Sequence, residues 1–263
     1  MRRRLGQHFL FDPTILKRIV DASNVSSDDL VVEIGPGKGR LTEILAKRVG
    51  KVIAIELDER FCDELERGVL RHLQNVELHC MDVLRFPFEK LPPFRVVANI
   101  PYYITTPIIF RLLQDKVQLI SATLTIQKEV AERIIATPGG KQYGVLSLMV
   151  QYFTEPSILF YIPRGAFSPP PKVDSAVIHL KRRAQPPVEV VDRRLFFRLI
   201  KDAFSKRRKT ISNSLKGYTR NIKEALKRAD IDVQIRPERL GMDDFARLSN
   251  IVAELIKANR RNN

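Results

Sequence analysis

One stretch, LVVEIGPGKGRLTEILAKRV at residues 30–49, constrains the fold more than any other. An apolar run passes into three glycines at alternate positions, and these into an apolar pattern with helical spacing. A continuous apolar run suits a strand buried on both faces. Glycines permit a turn tighter than side chains allow, and the change of period marks the helix. A strand, a glycine turn and a helix are the first half of a βαβ crossover, so a parallel sheet is expected.

The pattern recurs. VIAIELD (52–58), VELHCMD (76–82), RVVANIP (95–101) and SATLTIQ (121–127) read as further strands. Helix-like segments follow several of them, ERFCDELERGVLRHL (59–73) and TPIIFRLLQ (106–114) among them, the latter with proline in its first turn. SILFYIP (157–163) and SAVIHLK (175–181) leave little room for a helix between them, so an antiparallel hairpin is expected. Pro186–Pro187 then interrupts regular structure. Beyond it the apolar residues keep helical spacing, as in Leu195, Phe196, Leu199, Ile200, Ala203 and Phe204, and again in Phe245, Leu248, Val252, Leu255 and Ile256. The expectation is an α/β, Rossmann-like domain over residues 1–184 and a small, basic, all-helical domain over 185–263.

Charge separates the two parts. Residues 181–263 hold 22 Lys and Arg against 10 Asp and Glu, whereas residues 1–180 hold 23 against 20. A positive excess concentrated in the last third points to a polyanion, nucleic acid above all. KRRK at 206–209 (Lys206, Arg207, Arg208, Lys209) is the densest run, and in that setting phosphate contact is favoured over a merely solvated helix face. No stretch of 18 apolar residues occurs, which argues against a membrane span. Asp12, Pro13 and Lys17 interrupt any leader-like apolar segment. Cys62 and Cys80 are the two cysteines and form no CxxC; neither a disulfide scaffold nor a cysteine metal site is expected, and a reducing cytoplasm fits. No metal-ligand spacing is present elsewhere.

The glycine turn is followed by carboxylates at successive strand ends. Glu56 stands 21 residues after Gly35, where a carboxylate can accept both ribose hydroxyls, and Asp82 closes the next strand. The dinucleotide fingerprint G-x-G-x-x-G is not met, because Arg40 occupies the third glycine's position. Glu33, Glu56 and Asp82 suit a ligand without phosphates. S-adenosylmethionine, with a ribose, an adenine amine and two positive centres, fits that mouth better than NAD does.

NIPYYIT (99–105) ends the fourth strand with an amide, a rigid proline and two tyrosines. Asn99 should face the same crevice. Its side-chain oxygen and the Ile100 carbonyl can accept from an exocyclic base amine, Pro101 fixes the turn, and Tyr102 offers a stacking face. Such an amine is a poor nucleophile because its lone pair is delocalised. Two acceptors on its hydrogens localise the pair, and stacking aligns the base without any metal. A base reached in this way must be unstacked or flipped. Tyr103 reads as packing.

With these segments in hand, the chain resembles the small-subunit rRNA adenine N6,N6-dimethyltransferases. GQHFL (6–10), EIGPGKGRLT (33–42), VIAIELD, CMD (80–82), NIPYYITTP (99–107), QKEVAERI (127–134), FSPPPKVDSAV (167–177) and AFSKRRKTISNSL (203–215) match that family in the same order. The resemblance implies a class I S-adenosylmethionine-dependent methyltransferase fold. It implies that Gln7, His8 and Leu10 lie near the cofactor, although the family usually carries Asn at the position of His8. It places Gly35 by the methionine part, Glu56 on the ribose and Asp82 on the adenine, with Gly37 also binding the cofactor and Asn99 touching both cofactor and target. Asn99, Pro101 and Tyr102 would hold the target adenine, and Phe167 would stack on its other face. The implied substrate is two adjacent adenosines in a hairpin loop near the 3′ end of 16S rRNA, within an immature 30S subunit, and the implied enzyme is a cytoplasmic monomer.

Three rival readings remain. The 23S rRNA adenine methyltransferases of macrolide resistance share the NIPYY-type motif, but the match here continues through the C-terminal part. A DNA adenine methyltransferase would carry NPPY, and Ile100 departs from it. A non-catalytic RNA-binding factor on the same fold would be expected to lose Glu56, Asp82 or Asn99, all of which are present.

Overall fold

The computed structural model of the chain describes residues 8–206, 209–219 and 221–261. It divides into two compact units. One comprises residues up to Ala131 together with Thr154–Arg182; the other comprises Glu132–Phe153 and the chain from Arg183 onward.

The first unit opens with a two-residue strand, β1 (Phe9–Leu10), and α1 (Pro13–Ala22). Asp12 caps that helix, its carboxylate accepting from the Thr14 amide at 2.8 Å, with proline at the first helical position. Then β2 (Leu30–Ile34), α2 (Arg40–Ala46), β3 (Lys51–Glu56), α3 (Glu59–Arg67), β4 (Val76–Cys80), β5 (Phe94–Asn99), α4 (Thr105–Leu112) and β6 (Leu119–Gln127) alternate, followed by α5 (Lys128–Ile135). The seven-stranded sheet also takes in β7 (Thr154–Ile162) and β9 (Ser175–Arg182), in the order β4-β3-β2-β5-β6-β9-β7. The five strands from β4 to β6 run parallel; β9 is antiparallel to β6, and β7 to β9. The expected hairpin is therefore present. The short β8 (Phe167–Ser168) that interrupts it pairs instead with β1.

Central strands are buried on both faces, as their continuous apolar sequences require: Val31, Val32, Val52, Ala54, Val96, Val97 and Ala98 are all sealed from solvent. Beneath one face, Leu16, Ile19 and Val20 of α1 and Leu41 and Leu45 of α2 pack with Val31, Val52 and Val97.

One expectation about this unit is corrected. Cys62 and Cys80 are joined as a disulfide, with Cα atoms 6.1 Å apart. Cys62 lies on the buried face of α3 with Leu65, and Cys80 ends β4, beside which that helix packs. The crossover brings together two residues whose spacing in sequence carried no signal.

The second unit holds α6 (Val145–Phe153), α7 (Arg193–Phe204), α8 (Ile211–Leu215), α9 (Ile222–Arg228) and α10 (Met242–Arg261). Its core joins Phe196, Leu199 and Ile200 of α7 to Phe245, Leu248 and Val252 of α10. The same core includes Tyr143, Leu148 and Tyr152. Here the unit takes in more than residues 185–263. Tyr152 packs on Phe196 with ring centres 5.4 Å apart, and the Tyr143 hydroxyl donates to the Leu240 carbonyl at 3.1 Å. Residues 132–153 are separated from α7 by two sheet strands in sequence, so no local pattern links them. Among the described residues no helix is long and apolar enough to cross a membrane.

Candidate active site

The chain runs outward from β2 through β3 to β4, then returns to the other side of β2 with β5. Ligands of open α/β sheets bind at such a reversal, beyond the carboxyl ends of the strands. The crevice found there is lined by the ends of β2, β3 and β5, the residues just after β4 and the segment at His8–Phe9.

The β2–α2 turn forms its floor. Gly37 has a φ of +54°, and a Cβ added there would meet the Phe9 ring at 2.7 Å, so only glycine lets the backbone approach. Gly39 serves differently. It opens α2 with a φ of +75°, and a Cβ would strike Val69 and Leu65 at 2.6 and 2.7 Å. Of the three glycines, this one belongs to helix packing.

Glu56, at the end of β3, is 3% exposed. Its Oε1 accepts from the Leu57 and Asp58 amides at 2.9 and 3.0 Å, and its Oε2 from the Gly37 amide at 3.1 Å. Three backbone donors fix the carboxylate and leave about one of its four acceptor positions for a guest. Asp82 likewise caps the turn after β4 through Leu84 N at 2.9 Å, and it faces the same crevice. Among the described lining residues of this crevice there is no Lys or Arg. Such a mouth suits a ribose and positive centres, and disfavours a pyrophosphate.

Glu33 is the most unusual group. It is 1% exposed, and its Oε2 has no hydrogen-bond partner among the described residues. Burial pushes its carboxyl up to about 8; neighbouring Thr42 pulls it down by less, and repulsion from Glu56 adds to the rise. It lines an adjoining recess with Gly35, Leu10 and Asn99.

On the other side, the Asn99 amide nitrogen donates to the His8 carbonyl at 3.2 Å, so its side-chain oxygen is the group left to accept. The Ile100 amide donates to Thr125 O at 3.1 Å, and the Pro101 carbonyl accepts from Ile104 N at 3.1 Å, closing a short turn. The Tyr102 hydroxyl pairs with Ser175 Oγ at 2.6 Å. Burial raises its phenol above the ordinary range, so the ring stays neutral. The His8 ring lies 5.7 Å from that of Tyr102 and donates from Nδ1 to the Pro169 carbonyl at 2.8 Å.

The crevice thus gathers His8, Gly35, Gly37, Glu56, Asp82, Asn99, Pro101 and Tyr102. Leu10 lies in the adjoining recess. Phe167 does not line the crevice. At 2% exposure it packs with Leu10, Leu16 and Val177, because β8 pairs with β1 at Leu10↔Phe167. Tyr103 is not packing: it is 57% exposed at the crevice edge, its phenol raised by partial burial and by the charges of Glu56 and Asp82. Phe9, Leu57, Met81 and Val83 also line the crevice and were not expected. The last three directly flank the two acids, and that adjacency was a usable signal. Gln7, Arg207 and Arg208 lie outside the described residues; Lys206 and Lys209 are exposed on the second unit.

A family model described as "Ribosomal RNA adenine dimethylase" matches residues 1–254. A curated relative from Moorella thermoacetica, ribosomal RNA small subunit methyltransferase A, is 45% identical, with 94% of this chain and 91% of that one covered. The solved dimethyladenosine transferase of Plasmodium falciparum superposes with a TM-score of 0.77 at 29% identity, covering 97% of this chain and 98% of that one. The 23S rRNA methyltransferase ErmE superposes at 0.71, also at 29% identity, over 93% and 99%.

Proposed function

The chain belongs to the ribosomal RNA adenine dimethylase family, and we propose that its crevice holds S-adenosylmethionine beside a flipped adenine of 16S-type rRNA. The protein is an rRNA adenine dimethyltransferase acting on small-subunit rRNA. Its targets are two adjacent adenosines in a hairpin loop near the 3′ end, reached by a monomer in an immature 30S particle.

The observation that carries the cofactor reading is the donor set. Glu56 and Asp82 line the crevice with no Lys or Arg among its described lining residues, and Glu33, whose buried Oε2 lacks a partner among the described residues, lines the adjoining recess together with Lys38 and Arg40. Such a site accepts hydroxyls and positive charge. Glu56 would take the ribose, Asp82 the adenine amine, and Gly35 and Gly37 the methionine portion, with Glu33 beneath it. When bound, S-adenosylmethionine supplies an electrophilic methyl group.

This chain's residues prepare the nucleophile. Asn99 Oδ1 and the Ile100 carbonyl accept the two hydrogens of the target N6, which draws its lone pair out of conjugation. Tyr102, held by Ser175, stacks the base and keeps the nitrogen in line. Pro101 sets the distance between acceptor and ring. Because Phe167 is buried beneath β1, the stack rests on Tyr102. Preorganised acceptors and fixed orientation supply the rate without an acid or base side chain.

The purified protein should methylate an immature small-subunit particle that lacks the modification, with the product mapped as N6,N6-dimethyladenosine near the 3′ end. Transfer to 23S-type rRNA with none to the small subunit would overturn the reading and favour the ErmE-like alternative.

A further inference from the structure

Wholly within the second unit, α7 sets Arg198, Asp202 and, just past its end, Lys206 at i, i+4, i+8 spacing on its exposed side. The α8 segment and the turn after it bring Asn213, Ser214, Lys216 and Tyr218 to face them, and together these residues line one pocket. The Tyr218 hydroxyl donates to Asp202 Oδ2 at 2.5 Å, and the Arg198 guanidinium carbon stands 5.5 Å from the Tyr218 ring centre. Asp202 is the one acid among the described lining residues, and it is already engaged. Arg198, Lys206 and Lys216 remain as three cations converging from two segments. Ser214 Oγ is shielded from solvent and has no hydrogen-bond partner among the described residues. A shielded hydroxyl without a partner is costly unless a guest supplies an acceptor.

We propose that this pocket seats one phosphodiester of the rRNA backbone. Charge-assisted hydrogen bonds from Arg198 and Lys216 hold the two free oxygens, the Ser214 hydroxyl adds a third donor, and the Tyr218–Asp202 bond keeps the α7 and α8 sides at a fixed separation. The contact fixes the position of the RNA and reads no base. The site rests on the rRNA reading above and extends the basic surface beyond the 206–209 run. Arg198 and Lys216 lie in separate stretches of sequence that only the fold joins.

The test uses the full chain and an immature small-subunit particle, with affinity measured over a salt series. Arg198→Ala combined with Lys216→Ala should lower the slope of log K against log salt by roughly one, with cofactor affinity unchanged. Lys227→Ala, an exposed lysine of α9 outside the pocket, should leave the slope nearly as it was. An unchanged slope in the double variant overturns the site and leaves the rRNA reading standing. An equal loss in Lys227→Ala also overturns it, because the effect is then a general field. If the unaltered chain binds no small-subunit particle, the rRNA reading fails and the site with it.

Discussion

The crevice and the α7–α8 pocket are both charged sites, with opposite sign and opposite exposure. In the crevice Glu56 is sealed from solvent and clamped by three backbone amides. In the pocket Arg198, Lys206 and Lys216 are exposed on long side chains. A buried charge interacts strongly with whatever is placed beside it and pays heavily when alone; an exposed one interacts weakly and is screened. Their roles follow. The crevice, with its fixed carboxylate, suits close positioning of the proposed ligand and base. The pocket can only add modest increments to the grip on a polyanion. Single changes should therefore be severe in the first region and mild in the second.

The largest effect expected is at Asn99. Asn99→Ala removes the acceptor proposed for the reacting amine, so transfer should fall on the order of 10³-fold, about 4 kcal/mol. Cofactor affinity, measured by calorimetry, should change little, because Glu56 and Asp82 are untouched. A comparable loss of cofactor affinity would show instead that the bond to His8 is what Asn99 provides.

Glu33 comes next and can be tested without RNA. Its carboxyl titrates near 8 in the folded chain against an ordinary 4.5. Between those values the folded chain holds a proton that the unfolded chain releases, so stability falls as pH rises from about 4.5 to about 8. At about 1.4 kcal/mol per unit, the group should cost roughly 3 kcal/mol between pH 5 and pH 8. Denaturant unfolding of the ligand-free protein should show that decline, and Glu33→Gln should flatten it. S-adenosylmethionine should bind more weakly to the variant. A parallel decline in both proteins would mean that Glu33 is already ionised in the fold.

Much of this division was legible in the sequence. The parallel strands announced themselves through continuous Val and Ile runs. Glu56, Asp82 and Asn99 were findable because strand ends in such a sheet must converge. What stayed hidden depends on contacts distant in sequence. Nothing local ties Tyr152 to Phe196 or Cys62 to Cys80. Phe167 was placed at the target base by its motif, yet pairing with β1 draws it into the core. Tyr103 reads as packing in the sequence, whereas its position in the turn after Pro101 leaves it exposed. The unpartnered oxygen of Glu33 could not be read either, since a carboxylate at a strand end gives no sign of which amides reach it.

The smallest effects, and the sharpest contrast, belong to Lys206 and Lys209. Both are exposed, so Lys206→Ala and Lys209→Ala should each alter folding stability by less than about 0.5 kcal/mol. Each should weaken binding to the particle slightly and reduce its salt dependence. If both act as separate charges against separate phosphates, the double variant should show the sum of the two losses to within about 0.5 kcal/mol. The crevice predicts the reverse. If Asn99 and Tyr102 act on one bound amine, as proposed, then once Asn99→Ala has removed transfer, adding Tyr102→Ala should cost far less than it does alone. Additivity in both regions would mean that Asn99 and Tyr102 do not act on a common atom. Strong coupling between Lys206 and Lys209 would mean that the basic surface is a shaped site along its whole length, no longer a set of independent charges around one pocket.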